Sequence, residues 1–110
     1  MPMTDLTPQT IIRTGLAPTY GAANVDGHSI PNAGRMFLHV KNGSAVSVTV
    51  TVDTPGQVDG LDVAQLAVAI AAGLERMIGP FPPGVYNQIS GKIHVTFSAV
   101  TTVTLAAFIL

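Results

Sequence analysis

The spacing of apolar residues changes near Met36 from irregular to strictly alternating. In the run AVSVTVTVDT every second residue is a valine, and the face predicted to point inward comprises Val46, Val48, Val50 and Val52. A period of two is typical of a half-buried β-strand, because successive side chains of a strand point to opposite faces. The pattern therefore predicts a strand whose valine face lies in the core and whose serine and threonine face meets solvent.

The same alternation predicts strands in MFLHVK, IHVTFSA and VTLAAFIL. The Asn42-Gly43 pair that follows the first of these is typical of a hairpin turn. VTLAAFIL differs from the others because Phe108 and Leu110 make its second face apolar as well. A strand that is apolar on both faces is normally covered on both, so we expect another part of the protein to lie over it.

The segment over residues 63–78 fits two patterns. At helical spacing, Asp62 is a candidate N-cap for an apolar stripe that comprises Val63, Leu66, Ile70, Leu74 and Met77. At a period of two, Leu66–Ile70 forms one strand, AAG forms a turn, and a second strand begins at Leu74. We favour two strands, because the neighbouring segments are predicted strands and a helix here would run directly into GPFPP.

Six predicted strands after residue 35, joined by short turns, indicate an all-β fold, either an antiparallel β-sandwich or a small jelly-roll-like barrel. Residues 1–34 are rich in glycine and proline and predict an extended N-terminal arm, with one short helical turn in TPQTIIRTG. The arm carries too many apolar residues for a solvated tail, so we expect it to lie against a surface of this chain or of a neighbour. The predicted domains are the arm over residues 1–34 and a β-sandwich over residues 35–110.

The composition limits the kinds of partner that the chain is expected to have. Charged residues make up 10 % of its 110 residues, with a net charge of −1, whereas an ordinary soluble domain has about 25 % charged residues. A nucleic-acid-binding surface needs a basic patch or stripe, and a membrane helix needs about 18 consecutive apolar residues. The chain offers neither pattern, and its first residues do not resemble a signal peptide. We expect a protein made in the cytoplasm that binds neither nucleic acid nor membrane.

The residues that often carry chemistry are not arranged for it. His28, His39 and His94 show no metal-ligand spacing, so we expect exposed or interfacial imidazoles, although His39 and His94 share the outward positions of two strands. No serine lies in a Gly-x-Ser-x-Gly motif, and Glu75 is the only glutamate. Cysteine is absent. We therefore predict that the chain is not an enzyme and uses no cofactor or metal.

The stretch IGPFPPGVYN places three prolines around Phe81 and before Tyr86. Prolines stiffen such a connection, so these aromatic rings are either preorganised contacts at a sheet edge or, alternatively, a plug of the core and a corner hydrogen bond. Together with the apolar arm and the last strand, this stretch defines the candidate interface residues: Ile11, Ile12, Leu16, Tyr20, Phe81, Tyr86 and Phe108.

Three stretches of the chain resemble a known family. They are the loop from Gly27-His28 to Pro31-Asn32 with RMFLHVKNGS, the run TPGQVDGLDVAQLAV, and ERMIGPFPPGVYNQISGKIHVTFSAVTTVTLAA. They are similar to small proteins that tailed bacteriophages encode beside the major capsid protein, generally taken to be head-associated or decoration (cement) proteins. The resemblance covers nearly the whole chain, and its most distinctive part is IGPFPP followed by Tyr86 and Asn87.

The resemblance implies a role and no catalytic residues. It implies a virion structural protein on the capsid surface that binds the major capsid protein and stabilises contacts between capsomers. A homo-oligomer is expected, with a trimer favoured because capsid lattices offer threefold positions. Two alternatives remain open, a head–tail joining or tail component and a ligand-binding or carbohydrate-binding β-sandwich module on the particle.

Overall fold

The computed structural model describes residues 3–55, 57–62 and 64–109, which form two packed sheets and a short hairpin. Strands and one helical turn follow in chain order: β1 (Thr4–Asp5), β2 (Gln9–Thr10), β3 (Gly21–Ala22), β4 (His28–Pro31), β5 (Met36–Asn42), β6 (Val48–Val52), β7 (Gln57–Val58), β8 (Leu61–Asp62), β9 (Leu66–Ile70), β10 (Glu75–Ile78), α1 (Pro83–Tyr86), β11 (Lys92–Phe97) and β12 (Val103–Ile109). The all-β prediction is confirmed.

The two sheets have different strand orders. Sheet A runs β1-β4-β11-β6-β9, and sheet B runs β10-β5-β12-β2, with β3 also paired to β12. Strands β7 and β8 pair with each other in the connection between β6 and β9. Because both edges of each sheet are open within the described residues, the arrangement is a sandwich of two sheets.

The core fills the space between the sheets. Its buried side chains come from both sheets and from the connection after β10: Ile30, Met36, Leu38, Val40, Val48, Val50, Val52, Ile70, Ile78, Phe81, Ile93, Val95, Val103, Leu105 and Ala107. The predicted inward valines of β6 are confirmed at Val48, Val50 and Val52, which are fully buried. Val46 was predicted to join them, but it precedes the strand and is 60 % exposed.

The ambiguous segment forms two strands. Leu66–Ile70 is β9, which pairs antiparallel with β6, and Glu75–Ile78 is β10, which pairs antiparallel with β5. The turn between them closes with a hydrogen bond from the Leu74 amide to the Ala71 carbonyl at 3.0 Å. The strand interpretation is therefore confirmed, although Val63, which the helical stripe included, lies outside the described residues.

The sheets are mixed, whereas the sequence predicted antiparallel pairing. The long strands pair antiparallel, but β1 pairs with β4 in parallel and β2 pairs with β12 in parallel. Both parallel pairs involve strands of the first ten residues. These strands lie at the edges of sheets whose other strands come from later parts of the chain. The prediction failed where short strands carry no alternation that a sequence pattern can reveal.

The predicted N-terminal arm is shorter in the structure and contains no helical turn. The helical turn predicted in TPQTIIRTG is wrong, because Gln9–Thr10 forms strand β2 against β12. Strand β4, at the end of the predicted arm, pairs with β1 and β11 in sheet A, and its Ile30 is fully buried. A boundary after residue 34 would therefore separate a core strand from its sheet.

The remainder of the arm lies on its own chain. The Ile11 amide donates to the Ile109 carbonyl and the Ala23 amide donates to the Val103 carbonyl, each at 2.9 Å. Between these two anchors the arm passes over β12, whose outward Phe108 is 6 % exposed. The expected cover over both faces of the last strand is confirmed up to Ile109, since Leu110 lies outside the described residues.

We predict that Val50→Asp prevents folding, because it places an unpaired carboxylate in the centre of the core. The matched control, Thr49→Asp, puts the same charge on the outward face of the same strand and should retain a cooperative unfolding transition. Circular dichroism during thermal unfolding measures both. A Val50→Asp protein that melts like the parent would contradict the register of β6.

Candidate functional site

The outward face of sheet B carries most of the polar and aromatic contacts between the arm and the sandwich. The pairing register places eight side chains on this face: Phe37, His39, Lys41, Glu75, Met77, Thr104, Ala106 and Phe108. They come from β10, β5 and β12, because outward positions of paired strands lie side by side. We call this set the outer face of sheet B.

A hydrogen-bonded chain links the arm to the edge strand across this face. The Tyr20 hydroxyl lies 2.7 Å from His39 Nδ1, and His39 Nε2 lies 3.0 Å from Glu75 Oε1. An ionised carboxylate only accepts hydrogen bonds, so His39 donates through Nε2–H, and Nδ1 of the neutral ring accepts from Tyr20. If the imidazole is protonated, Nδ1–H donates to the phenol oxygen instead. The chain is therefore satisfied in either charge state of His39.

The ring of Tyr20 is enclosed by other groups of the outer face. Lys41 Nζ lies 4.0 Å from the centre of the Tyr20 ring, a cation–π distance. The Phe108 ring lies edge-on to Tyr20 with centroids 6.2 Å apart, and the Phe37 ring lies 5.6 Å from that of Phe108. These contacts fix Tyr20, and with it the arm, on the sandwich.

An apolar groove runs between the docked arm and strand β10. One part has a volume of about 320 Å³ and is lined by Ile11, Ile12, Gly15, Leu16, Pro18, Tyr20, Phe37, His39, Met77 and Phe108. The adjoining part, of about 360 Å³, is lined by Gly34, Arg35, Phe37, Met77, Ile78, Gly79 and Pro80. The two parts adjoin at Phe37 and Met77, and we call them together the apolar groove. Met77 is 68 % exposed there.

Gly79 allows the close approach of chain segments beside this groove. Its φ is +139°, a conformation that favours glycine. A Cβ atom at this position would lie 2.8 Å from Phe37 Cβ. A larger residue would therefore push the end of β10 away from β5 and displace Phe37.

The structure brings together five of the seven candidate interface residues. Ile11, Ile12, Leu16, Tyr20 and Phe108 all line the apolar groove. Phe81 and Tyr86 lie elsewhere, with ring centroids 5.5 Å apart. Phe81 is 1 % exposed, so it plugs the core and is not a surface contact. Tyr86 is half-buried against the core.

The proline-rich stretch is fixed by two asparagines, whose hydrogen bonds to it were not predicted from the sequence. Asn32 Nδ2 donates to the Phe81 carbonyl at 2.9 Å and to Asn87 Oδ1 at 2.7 Å. Asn87 Nδ2 returns a bond to the Asn32 carbonyl at 3.0 Å. The pair satisfies backbone groups near three prolines, which have no amide hydrogen of their own. The stretch IGPFPPGVYN is therefore a structural corner that closes one end of the core.

The three histidines occupy different environments. His28 and His39 are buried, with 2 % and 7 % exposure, so neither is an exposed imidazole. His39 lies on β5 in sheet B and His94 on β11 in sheet A, so they do not meet across one sheet. Within the described residues, no group of three histidine or acidic side chains is placed to hold a metal ion.

His28 requires a neutral ring. Its Nε2 accepts a hydrogen bond from the Asn24 amide at 3.0 Å, so the proton of the neutral ring lies on Nδ1. Nδ1 is buried and makes no hydrogen bond of good geometry within the described residues. Burial lowers the pKa of His28 from its ordinary value of 6.5, and the nearby backbone of Thr4 opposes part of this shift. Protonation would turn the Nε2 acceptor into a donor that faces another donor.

Comparisons with known proteins did not extend these observations. No protein-family model, curated protein or solved structure matched the chain. Across the described residues, no helix has the length and apolar character that crossing a membrane requires.

The hydrogen-bonded chain from Tyr20 to Glu75 was not predicted from the sequence. His39 and Glu75 occupy outward positions of strands that are far apart in sequence, and Tyr20 lies in a segment without periodicity. The sequence held one indication of such a contact. His39 is a polar residue at an outward position, and a histidine that becomes covered by another segment needs a hydrogen-bond partner. The identity of that partner depended on the pairing of β10 with β5.

We predict that Tyr20→Phe lowers the free energy of unfolding by about 1 kcal/mol, because it removes one partly buried hydrogen bond. The change should also speed hydrogen exchange of the Ile11 and Ala23 amides, which anchor the arm to β12. Urea unfolding and exchange measured by NMR test both effects. Tyr86→Phe is the matched control, and equal exchange rates in the two variants would contradict the role of Tyr20.

We predict that stability falls as the pH drops below about 6.5, because the unfolded chain takes up the His28 proton at a higher pH than the folded chain does. The loss levels off once folded His28 is protonated as well. His28→Gln, whose side-chain carbonyl can accept from Asn24, should flatten this dependence. Urea unfolding at pH 7.5 and pH 5 measures it, with His94→Gln as the control that keeps the parent slope. An unchanged slope in His28→Gln would contradict the assignment.

Proposed function

We propose that the chain is a non-catalytic structural protein of a phage particle, a decoration protein that binds the outer surface of the head and holds neighbouring capsomers together. The observation that carries the proposal is the apolar groove on the outer face of sheet B. It exposes Met77 and Ile12, which are 68 % and 50 % exposed, on a chain with few charged residues. The family resemblance of the sequence supports the same role.

The groove suits the binding of a protein surface because its walls are held in place before binding. One wall is the arm, which Tyr20, His39 and Glu75 connect to the sandwich. The other wall is β10, which is paired with β5 along its length. A preorganised surface loses little conformational entropy on binding, so more of its apolar contact energy appears as affinity.

A symmetric oligomer would strengthen such a contact. A decoration protein faces many identical copies of a shell protein, and linked binding sites gain avidity without new contacts. We propose a homotrimer, which matches the threefold positions of a capsid lattice, with the major capsid protein as the partner and the capsid surface as the location.

The surroundings of the two tyrosines argue against a carbohydrate-binding role. Sugar-binding sites commonly use an open aromatic face, but Lys41 Nζ lies over the Tyr20 ring at 4.0 Å. The other tyrosine, Tyr86, packs its ring against buried Phe81. These contacts leave both rings partly occupied by the protein itself.

Binding to empty shells tests the proposal. We expect the purified protein to form a trimer by light scattering and to pellet with shells assembled from the major capsid protein of the same phage. Met77→Ser should weaken this binding, because it removes the exposed apolar side chain at the centre of the groove. The loss expected for one well-packed apolar side chain is about tenfold or more in Kd.

Ile89→Ser is the matched control, because Ile89 is fully exposed in the loop after α1 and lies outside the groove. This variant should pellet with shells like the parent. A parent protein that does not pellet would contradict the proposed function. Equal losses in the two variants would contradict the assignment of the contact to the groove.

A further inference from the structure

The charged residues are distributed unevenly between the two sides of the sandwich. The chain has five lysines and arginines, all in the described part of the chain, and three of them lie on or beside the outer face of sheet B: Arg13, Arg35 and Lys41. Arg13 lies in the turn of the arm between Ile12 and Gly15, and Arg35 lines the groove. Lys41 lies over Tyr20. Arg76 occupies an inward position of β10, opposite Val40, and its guanidinium reaches the edge of that strand.

The acidic residues lie mostly on the other side. Glu75 is the one acid on the outer face of sheet B among the described residues, and its carboxylate is bonded to His39. Asp26 lies in the loop from β3 to β4, which leads from sheet B to sheet A. Asp5 belongs to β1 of sheet A, and Asp53, Asp59 and Asp62 belong to the connection between β6 and β9 of the same sheet. Lys92, the fifth basic residue, lies there too and pairs with Asp5 at 3.5 Å. The groove is therefore bordered by positive charge on a chain whose net charge is −1.

The edge of β10 offers hydrogen-bonding groups beside the groove. The Asn42 amide donates to the Leu74 carbonyl, and because backbone groups alternate along a strand, Arg76 and Ile78 also face β5. The backbone groups of Glu75 and Met77 then point to the open edge of sheet B. The Glu75 carbonyl accepts from Arg76 Nη1 at 2.8 Å, and the guanidinium keeps further donors for a carboxylate.

We propose that the apolar groove and the edge of β10 together bind an extended segment of a partner protein in which apolar residues are flanked by aspartates or glutamates. The segment adds to sheet B beside β10, places apolar side chains over Phe37 and Met77, and pairs its carboxylates with the basic border. Adding a strand to an open edge is a common mode of peptide recognition. The inference rests on the proposed function to the extent that the segment belongs to the shell protein.

The edge of β10 distinguishes a peptide from other acidic partners. An anionic membrane would satisfy the basic and apolar character of this face, but it has no backbone to pair with Met77. A second copy of this chain carries its acids on and around sheet A, where Asp53 already accepts from Gln65 and Gln88. Both remain outcomes of the test below.

A synthetic peptide tests the proposal directly. The probe has alternating valine and threonine residues between two aspartates at each end, and the control peptide has lysines in place of the aspartates. Added to the isotope-labelled full-length protein, the acidic peptide should shift the amide signals of β10, of Phe37 and of residues 11–16. The control peptide should bind about tenfold more weakly or not at all.

Charge reversal supplies a second readout. Arg35→Glu combined with Arg76→Glu should weaken binding of the acidic peptide by about tenfold, since each exposed pair contributes a few-fold. Lys92→Glu, on the other side of the sandwich, should leave it unchanged. The dispersed amide spectrum of each variant shows whether it is folded, and the comparison of the two peptides on the parent protein needs no variant.

Several results would overturn the proposal. Equal binding of both peptides, or signal shifts confined to sheet A, would contradict the peptide site. Without peptide binding, pelleting with vesicles of phosphatidylglycerol and phosphatidylcholine would indicate a membrane as the partner. Self-association through the outer face of sheet B in place of peptide binding would indicate a second copy of the chain. Shell binding separates this inference from the proposed function. If the protein binds shells but not the acidic peptide, the inference fails and the proposed function stands. If the protein binds the peptide but not shells, the inference stands and the proposed function fails.

Discussion

Strand β12 is apolar on both faces, and the rest of the architecture follows from the need to keep water from both. Its inward side chains, Leu105 and Ala107, are buried between the sheets, while Ala106 and Phe108 point outward and are almost as fully buried. Burying a side chain such as that of Phe108 is worth about 1.5–3 kcal/mol, and this gain favours folding the arm back over sheet B. Pairing of β2 and β3 with β12, and the Tyr20 contacts between them, hold that cover in place.

The docked arm also creates the surface to which we assign function. It stops short of β10, so the apolar floor at Phe37 and Met77 remains open between arm and edge strand. His39 connects the two walls through Tyr20 and Glu75. Among the described residues Glu75 is the one acid on this face, so the basic residues on and beside it outnumber the acidic ones. Cover and groove therefore arise from one structural feature, the return of the arm across β12, whereas most of the basic residues belong to the sandwich itself.

The elements that could be predicted from the sequence are those with a regular pattern. The alternating valines of β6 and the doubly apolar β12 each have a local cause, and both are present in the structure. The hairpin expected at Asn42-Gly43 is wrong, because β5 belongs to sheet B and β6 to sheet A, so this connection crosses between the sheets. Short strands such as β1, β2 and β4 could not be predicted, because two to four residues show no period and their pairing depends on distant segments. For the same reason, only part of the candidate site could be predicted. The apolar residues of the arm could be predicted to form an interface. The hydrogen bonds from Tyr20 through His39 to Glu75 could not, because they depend on the pairing of β10 with β5. Phe81 lies away from the groove, in the corner that Asn32 and Asn87 close.

We propose that the outer face of sheet B, with the arm docked on it, is the surface that contacts the shell. Hydrogen–deuterium exchange of the protein, free and bound to empty shells, tests this claim most directly because it reports every segment at once. We expect slower exchange on binding in residues 74–77 and 11–16, with strand β11 of sheet A unchanged. Protection that falls on the outward face of sheet A, with residues 74–77 unaffected, would contradict it.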